Sequence, residues 1–247
     1  MCKIGPMSDF RSYSPDLGLE KSTITLSPFE SHHLVGTNRA KLGDEVILFN
    51  GAGLEWKARL EQADKRRSVL IKEEAIHNNR PTQDITLAIA LIKGKMFDSI
   101  LRQATELGVT RIQPLITQWT QVQIKNAESK CKKWQLQLVE ACKQSGNPWL
   151  PTLSAPKKLD LFLAENPIET AVVASLESTA KIWSDLQLSK AVTLFIGPEG
   201  DFTPDEYQLL IEGGAQPVSL GSHVLRSETA AVSALSVLSE FMKQIED

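Results

Sequence analysis

The sequence holds only three cysteines, Cys2, Cys131 and Cys142, and none stands in CxxC spacing. An odd count without paired spacing excludes a disulfide framework and a zinc ribbon, and it points to the reducing cytoplasm. No metal is expected. No apolar run approaches the roughly 18 residues that a membrane span needs, so no membrane partner is expected either. Met1–Asp16 lacks the apolar stretch of a secretory leader. An excess of positive charge is missing too: 27 Lys and Arg face 30 Asp and Glu, for a net charge of -3. Proteins that grip nucleic acid by charge alone are normally basic. Any such contact here must come from local patches, such as Lys65-Arg66-Arg67 or Lys130, Lys132 and Lys133. Repeats and low-complexity tracts are absent.

What is present is 247 residues of ordinary composition, 42% hydrophobic and 23% charged. That is enough for one large domain or two smaller ones with a real core. The two halves differ in pattern. Up to about residue 77 the chain reads as short strands, at Ser22–Leu26, Glu45–Phe49, Glu55–Glu61 and Ser68–Glu74, with Asn50-Gly51 as a tight turn. Such a series suggests a small antiparallel barrel or sandwich. One short helix interrupts it. Ser27-Pro28-Phe29-Glu30 has the serine cap, first-turn proline and glutamate of a capping box, and places His32 and His33 on that helix. A polar break, Asn78-Asn79-Arg80-Pro81, then reads as a linker.

From residue 84 onward strands alternate with helices. Strands are expected at Ile85–Ile92, Arg111–Thr117, Ala171–Leu176, Val192–Ile196 and Pro217–Leu220. Helices are expected at Met96–Leu107 (ended by Gly108), Ala127–Gln144, Ala180–Leu188, Pro204–Glu212 and Glu228–Ile245. Alternation of this kind gives an α/β domain over residues 84–247, with a mostly parallel sheet covered on both faces. The small antiparallel domain over residues 1–77 makes the whole chain α+β.

Two segments carry the chemistry. In Ile196-Gly197-Pro198-Glu199-Gly200-Asp201-Phe202-Thr203-Pro204, a strand runs into a glycine loop and then a capped helix. In Leu220-Gly221-Ser222-His223-Val224-Leu225-Arg226-Ser227-Glu228, a second strand does the same, with Ser227 expected as the cap. Glycine lets backbone approach a ligand closely, and open α/β sheets bind ligands at the carboxyl ends of their strands. Neither loop is a phosphate loop, since the lysine and hydroxyl of GxxxxGK[ST] are lacking. Arg226 stands just outside the pocket and is read in two ways: as the holder of a phosphate or a base, or as half of a salt bridge with Glu199 or Glu228.

These segments resemble the SPOUT class of methyltransferases, and within it the RsmE family of 16S rRNA uridine N3-methyltransferases. The likeness extends to Lys93-Gly94-Lys95-Met96, Thr105–Val109, Gln113-Pro114-Leu115 and Ala141–Ser145. In the first half it rests on Arg11, Tyr13, His33, Arg39, Gly43-Asp44 and Phe49-Asn50-Gly51, which are similar to that family's PUA-like barrel. The resemblance implies a trefoil knot at the C-terminus that binds S-adenosylmethionine. Leu176, Ile196, Gly197, Pro198, Glu199, Gly200, Leu220, Gly221 and Leu225 would then line the cofactor pocket. It further implies methyl transfer to a uridine in the decoding region of 16S rRNA within the small ribosomal subunit. Arg226 would be the leading catalytic residue, with Glu199 and Glu228 orienting it, and Arg11, His33, Arg39, Lys93 and Arg226 would bind RNA. A homodimer is implied as well. Val232, Leu235, Leu238 and Phe241 would serve either that contact or the core of one subunit.

The sequence departs from the family pattern at several places. Thr117-Gln118-Trp119 stands where a Ser-Glu-Arg-like stretch is usual, Asn147 and Trp149 replace basic residues, and of a Val-Leu-Arg only Thr37-Asn38-Arg39 remains. These changes remove positive charge from RNA-facing positions. Trp119 and Trp149 either stack on bases or are buried. They keep two other readings open: a SPOUT enzyme for a different RNA, such as a tRNA or a ribose hydroxyl, and a non-catalytic RNA-binding assembly factor.

Overall fold

The computed structural model describes residues 10–120, 127–166, 168–177 and 179–243. Cys2 and the expected helical residues 244 and 245 lie outside them. The chain divides into two compact units, Met1–Arg80 with Cys142–Leu150, and Pro81–Ala141 with Pro151–Asp247.

The first unit contains β1 (Arg11–Tyr13), β2 (Thr23–Thr25), α1 (Pro28–Ser31), β3 (Glu45–Phe49), β4 (Leu54–Gln62) and β5 (Val69–His77). They form one sheet in the order β1-β3-β4-β5-β2. All neighbours are antiparallel except β1 and β3, which run parallel. Alternation along β4 sends Leu54, Trp56, Ala58 and Leu60 inward, where they meet Val46, Leu48 and Leu70 in a closed apolar core. The Asn50-Gly51 turn forms as its residues require: Asn50 Oδ1 accepts from the N–H groups of Ala52 and Leu54, and Gly51 has φ +76°.

The capping box at Ser27 is only half made. Ser27 Oγ accepts from the Glu30 N–H, but the Glu30 carboxylate turns inward instead of back to the cap. It accepts from the Tyr13 N–H and lies 3.2 Å from Lys143 Nζ, with side-chain exposures of 5% and 6%. Lys143 Nζ also meets His33 Nδ1 at 3.1 Å. His32 and His33 belong to a π-helical turn, His32–Thr37, that continues α1. Beside this cluster the buried Cys142 thiol is pushed up to about 12 by burial, against an opposing effect of Arg11. Trp149 is a packing element: its indole N–H donates to Asn79 O, and its ring lies so close to Gly53 that a β-carbon there would sit 2.3 Å from it.

The second unit contains β6 (Asp84–Ala90), α2 (Lys95–Glu106), β7 (Arg111–Ile116), α3 (Ala127–Ser145), β8 (Thr152–Leu153), β9 (Lys157–Lys158), α4 (Leu159–Glu165), β10 (Ala171–Ala174), β11 (Ala191–Ile196), α5 (Pro204–Glu212), β12 (Ala215–Val218) and α6 (Ser227–Lys243). The last turn of α3 groups with the first unit. The sheet order is β12-β10-β11-β6-β7-β8, with β9 also on β7, and every pairing is parallel. The apolar stripe of α2 buries Phe97, Ile100, Leu101 and Ala104, and Phe97 packs against Trp134 of α3 with ring centres 4.7 Å apart. Gly108, at φ +83°, ends α2.

Two expectations are corrected. Ala180–Leu188 is no helix: the Lys181 N–H donates to Pro217 O and its carbonyl accepts from Ser219, so its backbone is committed to the edge of β12 and leaves a single 3-10 turn, Trp183–Asp185. Ser227 is not a cap but the first residue of α6, and the Ala230 N–H donates to Arg226 O. On α6, Leu235 and Leu238 point into their own core beside Ala231, Ala234 and Met242, while Phe241 stacks near Trp183. Three short elements, β8, β9 and α4, form beyond those expected.

A buried ion pair stripped of one partner leaves an uncompensated charge, at a cost of about 3 kcal/mol or more. Lys143→Met should therefore destabilise the protein by about 3 kcal/mol in urea unfolding, and adding Glu30→Gln should restore part of that loss. Equal stability of wild type and Lys143→Met would show that the pair contributes nothing.

Candidate active site

Because all strands of the second sheet are parallel, the loops that follow β10, β11 and β12 leave the same edge, and between them lies a cleft of about 90 Å³ that opens to solvent. The strand order places these three side by side, which brings together segments far apart in sequence.

The loop after β11 sets the floor. Gly197 sits in a tight fold-back: a β-carbon would fall 2.7 Å from Asp201 Oδ1 and 3.3 Å from both Asp201 Cα and the Phe202 nitrogen, so a side chain there would crowd the returning loop. The fold-back is closed by the Asp201 N–H donating to Pro198 O. Asp201 adopts φ +60°, a left-handed conformation that Asp and Asn tolerate better than most residues. The loop ends in a complete capping box. Thr203 Oγ1 accepts from the Glu206 N–H, and Glu206 Oε2 accepts from the Thr203 N–H. The other oxygen of Glu206 accepts from the Gln118 N–H at 2.7 Å, tying the segment after β7 to the start of α5.

The loop after β12 supplies the opposite wall, with Leu220, Gly221 (φ +132°), His223, Val224 and Leu225. Ser175 and Leu176 close it from β10, and Ser227 and Ala230 from α6. Ser175 is fixed through its hydroxyl, which accepts from the Glu177 N–H and shares a hydrogen bond with Tyr207 Oη.

Of the expected cofactor residues, Leu176, Ile196, Gly197, Pro198, Glu199, Leu220, Gly221 and Leu225 all line this cleft. Gly200 does not; it faces the Trp119 ring. Arg226 is exposed between two lining residues, Leu225 and Ser227, and among the described residues it makes no ion pair with Glu199 or Glu228. Glu228 sits half-buried in the first turn of α6, outside the lining. Ala174, Ser175, Asp201, His223, Val224, Ser227 and Ala230 join the lining as well. For Asp201 the available signal was an aspartate directly after glycine at the loop's fold-back.

The remaining expected residues are dispersed. Arg11 is paired with Glu55 at 2.6 Å and stacked over Phe49, inside the first unit. His33 is held against Lys143, and Arg39 is exposed at φ +62°. Lys93 is exposed on the loop after β6, at the same sheet edge as the cleft. Among the described residues no group of His, Cys, Asp and Glu is placed to hold a metal ion.

The cleft is thus walled by backbone, apolar side chains and two carboxylates, Glu199 and Asp201, with no Lys or Arg among the described residues of its lining. Burial raises the Asp201 carboxyl above its ordinary value, the Phe202 N–H bond opposes the rise, and the Glu177 charge adds to it. Such a cleft does not suit a polyphosphate. It suits a ligand with a flat apolar part, hydrogen-bonding edges and no excess negative charge.

Comparison with known proteins gives the site its setting. Residues 78–239 match the family model of an RNA methyltransferase domain, and residues 30–74 match that of an RNA methyltransferase PUA domain. The ribosomal RNA small subunit methyltransferase E of a Synechocystis species is 34% identical over 90% of this chain and 75% of its own length. The chain belongs to the ribosomal RNA small subunit methyltransferase E family. The Rickettsia conorii member is 32% identical, over 88% of this chain and 89% of its own. The crystal structure of the Neisseria gonorrhoeae member bound to S-adenosyl methionine superposes with a TM-score of 0.86 at 30% identity, covering 94% of this chain and 97% of that one. The parallel α/β unit is accordingly the methyltransferase domain of the family, and the small sheet belongs to its PUA domain.

A carboxyl raised in the folded state favours folding most while protonated, and that advantage is lost as pH rises through its folded value. Asp201→Asn keeps the side-chain oxygen and tolerates the positive φ, but it cannot ionise. Its stability relative to wild type should therefore rise as pH is taken from about 4 to 8, read from urea midpoints. A difference that does not change with pH would refute the raised value.

Proposed function

We propose that this protein transfers a methyl group from S-adenosylmethionine to N3 of a uridine in 16S rRNA of the small ribosomal subunit. The observation that carries the reading is the cleft at the carboxyl ends of β10, β11 and β12, which has no Lys or Arg among its described lining residues and is shaped by the tight fold-back at Gly197 and the positive-φ turn at Gly221. Its residues fit the cofactor: Leu176, Ile196, Val224 and Leu225 offer apolar contact to an adenine ring, loop backbone offers hydrogen bonds to its edge, and the carboxylates Glu199 and Asp201 suit the positive charge of a sulfonium. When bound, S-adenosylmethionine supplies an electrophilic methyl carbon and leaves as S-adenosylhomocysteine.

The chain's own task is to prepare the nucleophile. N3 of uridine carries a proton, and loss of that proton leaves a lone pair and negative charge spread over N3 and the flanking carbonyl oxygens. Arg226, exposed between two cleft residues, is the guanidinium assigned to stabilise that anion, and such a group raises rate most when its charge is fixed before reaction. Glu199 on the cleft wall and Glu228 in the first turn of α6 are assigned to orienting Arg226. Arg39 and Lys93, both exposed, are assigned to phosphates. Arg11 and His33, engaged with Glu55 and Lys143, act by shaping the surface on which RNA rests. The loops that form the cleft are read as those of a trefoil knot. A homodimer fits the exposed apolar side chains of Leu176 and Val224 at the cleft rim and of Ile182 next to the residue that bridges β12. The cytoplasm, where ribosomes assemble, is the proposed compartment.

The test is genetic and then chemical. A strain deleted for the gene should lack 3-methyluridine in its small-subunit rRNA by mass spectrometry, and purified protein with S-adenosylmethionine should restore it on those subunits. Retention of the modification in the deletion strain would refute the uridine assignment. Loss of a different modified nucleoside would point to another RNA target. Arg226→Ala should bind S-adenosylmethionine with unchanged affinity in calorimetry and lose roughly 10²-fold in kcat. Full turnover in that variant would remove Arg226 from the chemistry.

A further inference from the structure

The geometry points to Trp119 as a preformed stacking platform for an unpaired base of the RNA substrate, an inference that rests on the methyltransferase reading above. Trp119 follows β7, whose carboxyl end lies at the same sheet edge as the cleft. It is 54% exposed, although indole rings normally hide most of their surface. Its position is nevertheless fixed. Thr117 to Thr120 form a closed turn in which the Thr120 N–H donates to Thr117 O and the Thr117 N–H donates to Thr120 Oγ1. The neighbouring Gln118 N–H is anchored to Glu206 at the head of α5. One part of the ring rests on Gly200, where a β-carbon would lie 3.5 Å from Trp119 Cγ.

The platform therefore stands on the loop whose Gly197–Glu199 portion walls the cleft. Between the exits of β7 and β11 lies that of β6, followed by the exposed cations Lys93 on its loop and Lys95 at the first position of α2. An aromatic face with cations alongside is the pattern by which proteins hold single-stranded nucleic acid: bases stack and phosphates pair. Because the turn is already ordered, little further conformational freedom is lost when a base settles on it. The other tryptophan at a position of altered charge, Trp149, is taken up in packing against Gly53 and offers no comparable face.

The experiment uses the full chain as wild type, Trp119→Leu and Trp119→Phe. Leucine keeps an apolar cover over Gly200 but removes the π face; phenylalanine keeps both. The probe is a short fluorescein-labelled uridine-rich RNA single strand, read by anisotropy. Trp119→Leu should weaken binding roughly tenfold, with Trp119→Phe recovering most of it. S-adenosylmethionine affinity and Tm should stay at wild-type values in both, and on small subunits the leucine variant should raise KM more than it lowers kcat. Wild-type affinity in Trp119→Leu, or no binding of the strand by wild type, would overturn the proposal. So would a leucine variant that loses cofactor affinity in step with RNA affinity, since Trp119 would then be a cover for the cofactor loop. A wild type that binds the strand through Trp119 but leaves small-subunit uridine unmethylated would support stacking while refuting the uridine assignment.

Discussion

The parallel hydrogen-bond ladder of the second sheet is the constraint from which the site follows. In an antiparallel sheet, successive loops leave opposite edges. Here every pairing is parallel, so the loops after β6, β7, β10, β11 and β12 emerge at one edge. Side-by-side placement of β12, β10 and β11 then converts three loops, separated by tens of residues in sequence, into adjoining walls. The near-continuous burial of β6 and β11 is the sequence's share of this arrangement, because strands covered on both faces must be apolar on both.

The two units treat charge in opposite ways. The first unit takes charges inside and pairs them: Glu30 with Lys143, and Arg11 with Glu55, which also accepts from Asn78. Each pair needs its partners in full, since an unpaired buried charge is far more costly than a paired one. In the methyltransferase unit no Lys or Arg is among the described residues lining the cleft, and the loop closes by tight packing of Gly197 against Asp201 and Phe202. Glu206 joins the two levels of structure. One of its oxygens finishes the cap of α5 and the other holds the segment carrying Trp119. A carboxylate at a helix N-terminus is already favoured by the helix dipole, so this link adds little strain.

Much of this was legible in the sequence, for identifiable reasons. Local signals were read well where the residues concerned answer only to their neighbours: the Thr203–Glu206 box, Asn50-Gly51, the Gly108 stop and the apolar strands. Reading failed where a distant partner decided the outcome. Glu30 has the right place for a capping box, yet a lysine 113 residues away claims its carboxylate. Lys181 sits in a passable helical pattern, yet the free edge of β12 claims its backbone. The cofactor loops were visible because glycine has few reasons to follow a buried strand. Asp201 was not singled out, because its burial depends on how the loop folds back, which no spacing reveals.

The exchange of charge for aromatic surface has a physical consequence for how RNA is held. Every phosphate contact makes affinity fall with salt, by a slope of about 0.7 per contact for single strands, because counterions are released on binding. A stacked base contributes roughly 1–3 kcal/mol without that dependence. On the proposed reading, a chain of net charge -3 with an exposed Trp119 beside the cleft leans on shape and stacking more than on long-range attraction. Such a protein gains less from electrostatic steering toward RNA at large and discriminates by whether an unpaired base can reach the edge where the cleft lies. On that reading, the edge at which the parallel ladder gathers the cleft loops is also the edge that selects the substrate.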